Sequence, residues 1–136
     1  MAEGLLRKAI AGVVNARVSS AGIAAMPGLD ASSDTRSILN EHQASLNSFK
    51  SRQVDEELLC QADLIIPMTS SHGEMIKQFF PECAERVRLL CDYIDVAEGL
   101  SGADVPDPIG MGRPAYEEVA KVITLALPGI IGKLEG

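Results

Sequence analysis

Few residues in this 136-residue chain have the types and spacing that chemistry needs. Cys60, Cys83 and Cys91 form no Cys-x-x-Cys pair and are set apart from His42 and His72. Zinc-ligand spacing is therefore absent, and neither a metal nor another cofactor is expected. The three thiols are expected to be small, reduced core residues. Asp107 stands between two prolines in "VPDPIG". Pro108 biases it toward extended geometry, which can hold its side chain out of the loop. An Asp before Pro is, in general, more often simply a turn. Asp104 is a weaker carboxylate nearby. Ser20, ahead of Ala21-Gly22, can satisfy local backbone at a strand end. His72 falls at a helix start and His42 at a helix end, where both read as structural.

The elements that position these residues alternate between helix and strand. Ala2, Leu5, Leu6, Ala9, Ile10 and Val13 keep helical spacing, with Glu3, Arg7 and Lys8 on the other face, and this helix is expected to end near Val14-Asn15. A strand "ARVSSAG" follows. A Pro-, Gly- and Ser-rich loop then leads to a helix capped by Ser32 or Ser33 and running to about His42. A short acidic helix spans Asp55 to Cys60. "ADLIIPM" reads as a strand covered on both faces. Ser71-His72-Gly73-Glu74 matches a capping box opening a helix to about Phe80. "RVRLL" reads as another strand, the stretch from Tyr93 to Gly112 is irregular, and the last helix starts near Pro114 with Glu117 and Glu118 in its first turn. Alternation of this kind predicts an α/β fold, a three-layer α/β/α arrangement around a parallel sheet, in a single domain over residues 1–136. An opening helix is unusual there, because a crossover helix joins two parallel strands.

Composition narrows the partners. With 19 acidic and 12 basic residues the net charge is −7, which disfavours a nucleic-acid surface. No apolar run approaches the ~20 residues that span a bilayer, and the start lacks secretory-signal character, so no membrane partner and a cytoplasmic location are expected.

Four stretches, in this order and spacing, carry a resemblance: "MAEGLLR", "SSAGIAAMPGLDASSD", "SRQVDEELLCQADLIIPMTSSH" and "DVPDPIGMGRPAYEEV". Over nearly its whole length the chain resembles the low-molecular-weight protein tyrosine phosphatases, especially bacterial members, among them protein-arginine phosphatases. The resemblance implies a strand and a Cys-x5-Arg-Ser phosphate loop directly ahead of the first helix. The loop's Cys is the nucleophile, and its Arg clamps the phosphoryl oxygens. Met1 falls on the Met just after that loop, so the first central strand and the catalytic loop are expected to be missing from the 136 residues. The resemblance implies that Asp107 is the general acid, that Ile109 lines the substrate cleft and that Ser20 supports the phosphate loop. Many tyrosine-specific relatives carry an aromatic residue where Ile109 stands, so Ile109 removes ring stacking against phosphotyrosine.

The resulting expectation is a phosphatase of phosphorylated proteins, acting through cysteinyl phosphate, with no turnover by the chain as given. Two readings stand beside it. One is a true start about 15 residues upstream, enough for one strand and a loop, set against a non-catalytic fragment or binding pseudophosphatase. The other is an arsenate-reductase-like enzyme, disfavoured because "TSSHGE" after "LIIPM" holds no cysteine. Loss of a central strand exposes unpaired edges, so marginal stability, a rearranged sheet or a strand-exchanged homodimer is expected.

Overall fold

In a computed structural model of the chain, residues 1–13, 15–22, 31–44, 53–105, 107–108 and 111–135 are described. Among them are five α-helices: α1 Ala2–Ile10, α2 Ser33–Glu41, α3 Glu56–Gln61, α4 Ser70–Phe79 and α5 Arg113–Glu135. Short 3₁₀ helices occupy Pro81–Arg86, Leu90–Tyr93 and Val96–Glu98. No described helix is long and apolar enough to cross a membrane.

Local chemistry explains where most helices begin. Ser32 accepts from the Thr35 N–H ahead of α2, and Asp55 accepts from the Leu58 N–H ahead of α3, so orphan amide donors of both first turns are satisfied. The α4 start differs from expectation. Its cap is Thr69, whose Oγ1 accepts from the His72 N–H at 3.2 Å, and Ser71 lies inside the helix. The helix α1 stops at Ile10 rather than near Val14, because Gly12 turns the backbone away with φ of +75°.

The expected strands are reduced to extended segments. Among the described residues, pairing consists of two isolated parallel bridges, Gly22 with Gln53 and Ile65 with Val87. The second sits in a short ladder: Ile65 N–H donates to Arg86 O, Arg88 N–H to Ile65 O and Leu90 N–H to Pro67 O, at 2.9–3.0 Å. Continuing it requires an N–H at residue 67, and proline has none. Leu90–Tyr93 then curls into a 3₁₀ turn, so "RVRLL" leaves the ladder at its last residue. Among the described residues, the segment 16–22 makes the Gly22 bridge, with Val54 N–H donating to Gly22 O at 2.9 Å.

Two apolar clusters result. The larger joins Leu5 of α1, Ile38 and Leu39 of α2, the 90–94 turn, Val105, and an α5 face of Tyr116, Val119, Ala120, Ile123, Ala126 and Ile130. That face repeats every three or four residues, as a helix buried on one side requires. Gly129 lets α5 approach the turn closely: a Cβ there would lie 2.0 Å from the Tyr93 carbonyl oxygen. The smaller cluster gathers Leu59, Ile65, Ile76 and Cys83, with Val54, Ala62, Phe80 and Val87 at its margin.

Candidate functional site

The loop carrying Asp107 is anchored at both ends. At its entry Val105, a core residue, donates its N–H to Met68 O at 2.8 Å. Asp104 Oδ1 accepts from the Ser70 N–H at 2.7 Å, placing a carboxylate on the first turn of α4, where the helix dipole favours it. Upstream, Asp92 Oδ1 accepts from the Gly102 N–H at 2.8 Å and from Ser101 Oγ at 3.4 Å. At the exit, Arg113 opens α5 and binds across to α2, donating to Ser37 Oγ at 2.7 Å and to the Glu41 carboxylate. It also donates to Glu117 at 3.0 Å on its own helix. Met111 N–H donates to Pro108 O at 3.0 Å, closing a turn just past Asp107.

Both carboxylates of the loop are exposed: Asp104 accepts from the α4 amide, and Asp107 precedes the turn that Met111 closes on Pro108. An exposed carboxyl between fixed loop ends can exchange protons with water and with a bound substrate. Its predicted neighbour Ile109 lies outside the described residues.

Ser20 is brought to the start of α1. Its Oγ donates to Glu3 Oε1 at 2.8 Å, while Arg7 Nη2 donates to Glu3 Oε2 at 2.9 Å and to Val18 O at 2.7 Å. Glu3 is only 7% exposed, the one buried charged residue among those described. The network ties the extended 18–20 segment to the first turn of α1. Sequence reasoning put Glu3 on the polar face of α1; the only available signal was its place in the first turn, where an acid suits the dipole. Met1 and Ala2 pack against the same core that holds Val105, so the α1 start and the Asp107 loop share a foundation.

Other sequence candidates divide. His72 is exposed in the first turn of α4, and His42 is an exposed cap residue after α2. Cys83 and Cys91 are buried but belong to different clusters, so the structure does not bring them together. Burial, then the charges of Asp92 and Asp104, push the Cys91 thiol up from 9.0. Cys60 departs from expectation: it is exposed, because it falls on the outer side of the short α3 next to buried Leu59.

Comparison with known proteins bears on the family. The family model described as low molecular weight phosphotyrosine protein phosphatase matches residues 1–135. The low molecular weight protein-tyrosine-phosphatase Wzb of Escherichia coli (strain K12) is 33% identical over 109 residues, 80% of this chain and 68% of that protein. The protein-arginine-phosphatase of Geobacillus stearothermophilus is 29% identical over 136 residues, covering 99% of this chain and 86% of its own length. A solved structure of a YwlE arginine phosphatase mutant with a phosphorylated active-site serine superimposes with a TM-score of 0.88 at 29% identity, covering 98% of this chain and 86% of that one.

Proposed function

We propose that this chain, which belongs to the low molecular weight phosphotyrosine protein phosphatase family, is the one-domain body of a phosphoprotein phosphatase in which Asp107 is the proton donor and acceptor. The observation that carries the reading is the anchoring of the loop at both ends, by Val105 N–H on Met68 O and by Arg113 on α2, with Asp107 exposed between them. In the first step a cysteine thiolate attacks phosphorus, the bond to the leaving oxygen or nitrogen breaks, and Asp107 gives that atom its proton. In the second, Asp107 takes a proton from water, the water oxygen attacks phosphorus, and the sulfur–phosphorus bond breaks.

No cysteine of the 136 residues has an arginine six positions on. The thiolate and the arginine clamp therefore come from the Cys-x5-Arg loop that the family pattern sets ahead of α1, and these residues by themselves are without turnover. Such a loop would run into the first turn of α1, where Ser20 and Glu3 meet. That junction supports Ser20 as the loop's brace, and an aliphatic Ile109 favours a substrate other than phosphotyrosine, phosphoarginine included. Without the added strand, exchange with a second copy is the expected way to pair the edge of 62–68, and a concentration-dependent dimer in sedimentation velocity checks it.

The test compares the 136-residue chain with the same chain extended by a strand and Cys-x5-Arg-Ser segment, using an aryl phosphate and a phosphoarginine peptide. The extended chain is expected to turn over, with Asp107→Asn lowering kcat about 10²–10⁴-fold. Turnover by the 136 residues alone, or an Asp107→Asn variant as active as its parent, overturns the proposal.

A further inference from the structure

Away from the Asp107 loop, the smaller apolar cluster opens to the surface. A groove of 420 Å³ lies there, lined by Gln53, Val54, Met75, Ile76, Phe79 and Phe80. Phe79 is 67% exposed and Met75 37%, although both adjoin the buried Ile76. Met75 and Phe79 are four residues apart on α4 and so form a ridge of the kind that seats a second helix. Ordinary burial does not explain an aromatic ring left this bare beside an unfilled apolar groove.

Among the described residues around the groove, acids outnumber bases. Glu56 and Glu57 follow Val54 at the start of α3, Glu74 precedes Met75, and Glu82 and Glu85 follow Phe80 in the 81–86 turn, all exposed. Partial desolvation, then the charges of Cys83, Glu56 and Glu82, push the Cys60 thiol up against the opposing charge of Arg86. The two described cations among them, Arg86 and Lys77, have partners. Arg86 donates to Cys60 O, Ala62 O and Cys83 Sγ, and Lys77 lies 3.8 Å from Glu74.

We propose that this groove is a docking site for a basic amphipathic helix of a partner protein, whose apolar residues enter between Phe79 and Val54 and whose lysines or arginines meet the glutamates around it. Helix-in-groove recognition needs apolar anchors at i and i+3 or i+4, matching the α4 ridge. The acidic rim sets the sign of the partner and speeds encounter. This site is independent of the phosphatase reading.

The test titrates the 136-residue chain with a fluorescent 18-residue Leu/Lys amphipathic peptide, and with Leu/Glu and Gln/Lys versions of the same length. The Leu/Lys peptide is expected to bind at least tenfold more tightly than either. Phe79→Ser and the pair Glu82→Lys, Glu85→Lys should each weaken it tenfold or more. Glu117→Lys with Glu118→Lys, equal in charge change but on α5, should alter it less than twofold. Equal loss from the α5 pair would reduce the effect to net charge and overturn the proposal. Full binding by the Phe79→Ser variant, or no binding by the parent chain, also overturns it. Self-association of the free chain that Phe79→Ser abolishes would assign the groove to a second copy instead.

Discussion

The two apolar clusters differ in how completely the chain closes over them. Around Ile123 and Ala126, helices α1, α2 and α5 and the 90–94 turn surround side chains that are 2% exposed or less. Around Ile76, two short helices, a 3₁₀ turn and a broken ladder leave Phe79 and Met75 at the surface. The first region scaffolds the Asp107 loop, since Val105 and Tyr116, on either side of it, are both buried there. The second leaves an apolar face available. Close packing is found where the loop needs fixed ends, and the open apolar groove lies beside α4.

The hardest way to break this contrast is at the closest approach in the large cluster. Gly129→Ala puts a methyl group 2.0 Å from a backbone oxygen, which no rotamer change relieves. Overpacking usually costs about 1–3 kcal/mol, and a backbone clash at this distance is expected to exceed about 3 kcal/mol. Urea unfolding of the variant should show a transition shifted to much lower denaturant or lost altogether. A midpoint within error of the parent would mean α5 and the turn are not packed this tightly.

A graded comparison comes from matched truncations. Ile123→Ala removes atoms from a side chain 2% exposed in the large cluster, and Ile76→Ala removes the same atoms from one 6% exposed beside the open groove. Core truncations of this size cost about 2–5 kcal/mol, and the cost depends on how far the site can collapse. Ile123→Ala should fall near the upper end and Ile76→Ala near about 2 kcal/mol. Equal losses would show that the small cluster is as well packed as the large one.

Which of these features a reader could take from the sequence follows from how local their causes are. The cap at Ser32, one of the two serines read for it, and the α5 start near Pro114 depend on neighbours within four residues and stand as read, whereas Asp55, read as the first residue of its helix, caps it from outside. The structure gives Asp104 to a helix 34 residues away, a partner no spacing rule supplies. Thr69 displaced Ser71 as the α4 cap because tertiary pairing of Met68 and Ser70 set where the helix begins. The strand at 62–68 carried the right apolar run, but Pro67 removed the donor that would have lengthened its ladder. Cys60 was misplaced because a helix of six residues has an outer side that apolar counting overlooks.

The clusters should also part in alkali. Burial pushes both Cys91 and Tyr93 up from 9.0 and 10.0, and Arg88, 4.6 Å from the Tyr93 ring, opposes only the second shift. The folded state therefore holds both groups neutral more strongly than the unfolded chain does. Their contribution is fully present below the unfolded values and is lost as pH rises through the raised folded ones. Urea midpoints measured at pH 7.5, 9 and 10.5 should fall only above about pH 9. Tyr93→Phe, which keeps the ring and deletes the phenol, should flatten part of that fall. A profile level to pH 10.5 in the parent would sink the argument.

The smallest expected change in stability is the most informative about the open region. Phe79 is 67% exposed, so its ring contributes little to the fold, and Phe79→Ser should shift stability by no more than about 0.5 kcal/mol. Exposing less apolar surface in the folded state can even raise solubility without touching the core. A large loss would mean that Phe79 packs in solution against part of the chain, closing the groove and making the two clusters alike. A negligible loss, together with weaker capture of the Leu/Lys peptide, separates folding from recognition at one side chain. The ring would then be retained for contact with something other than its own core, as its position on the α4 ridge beside Met75 implies.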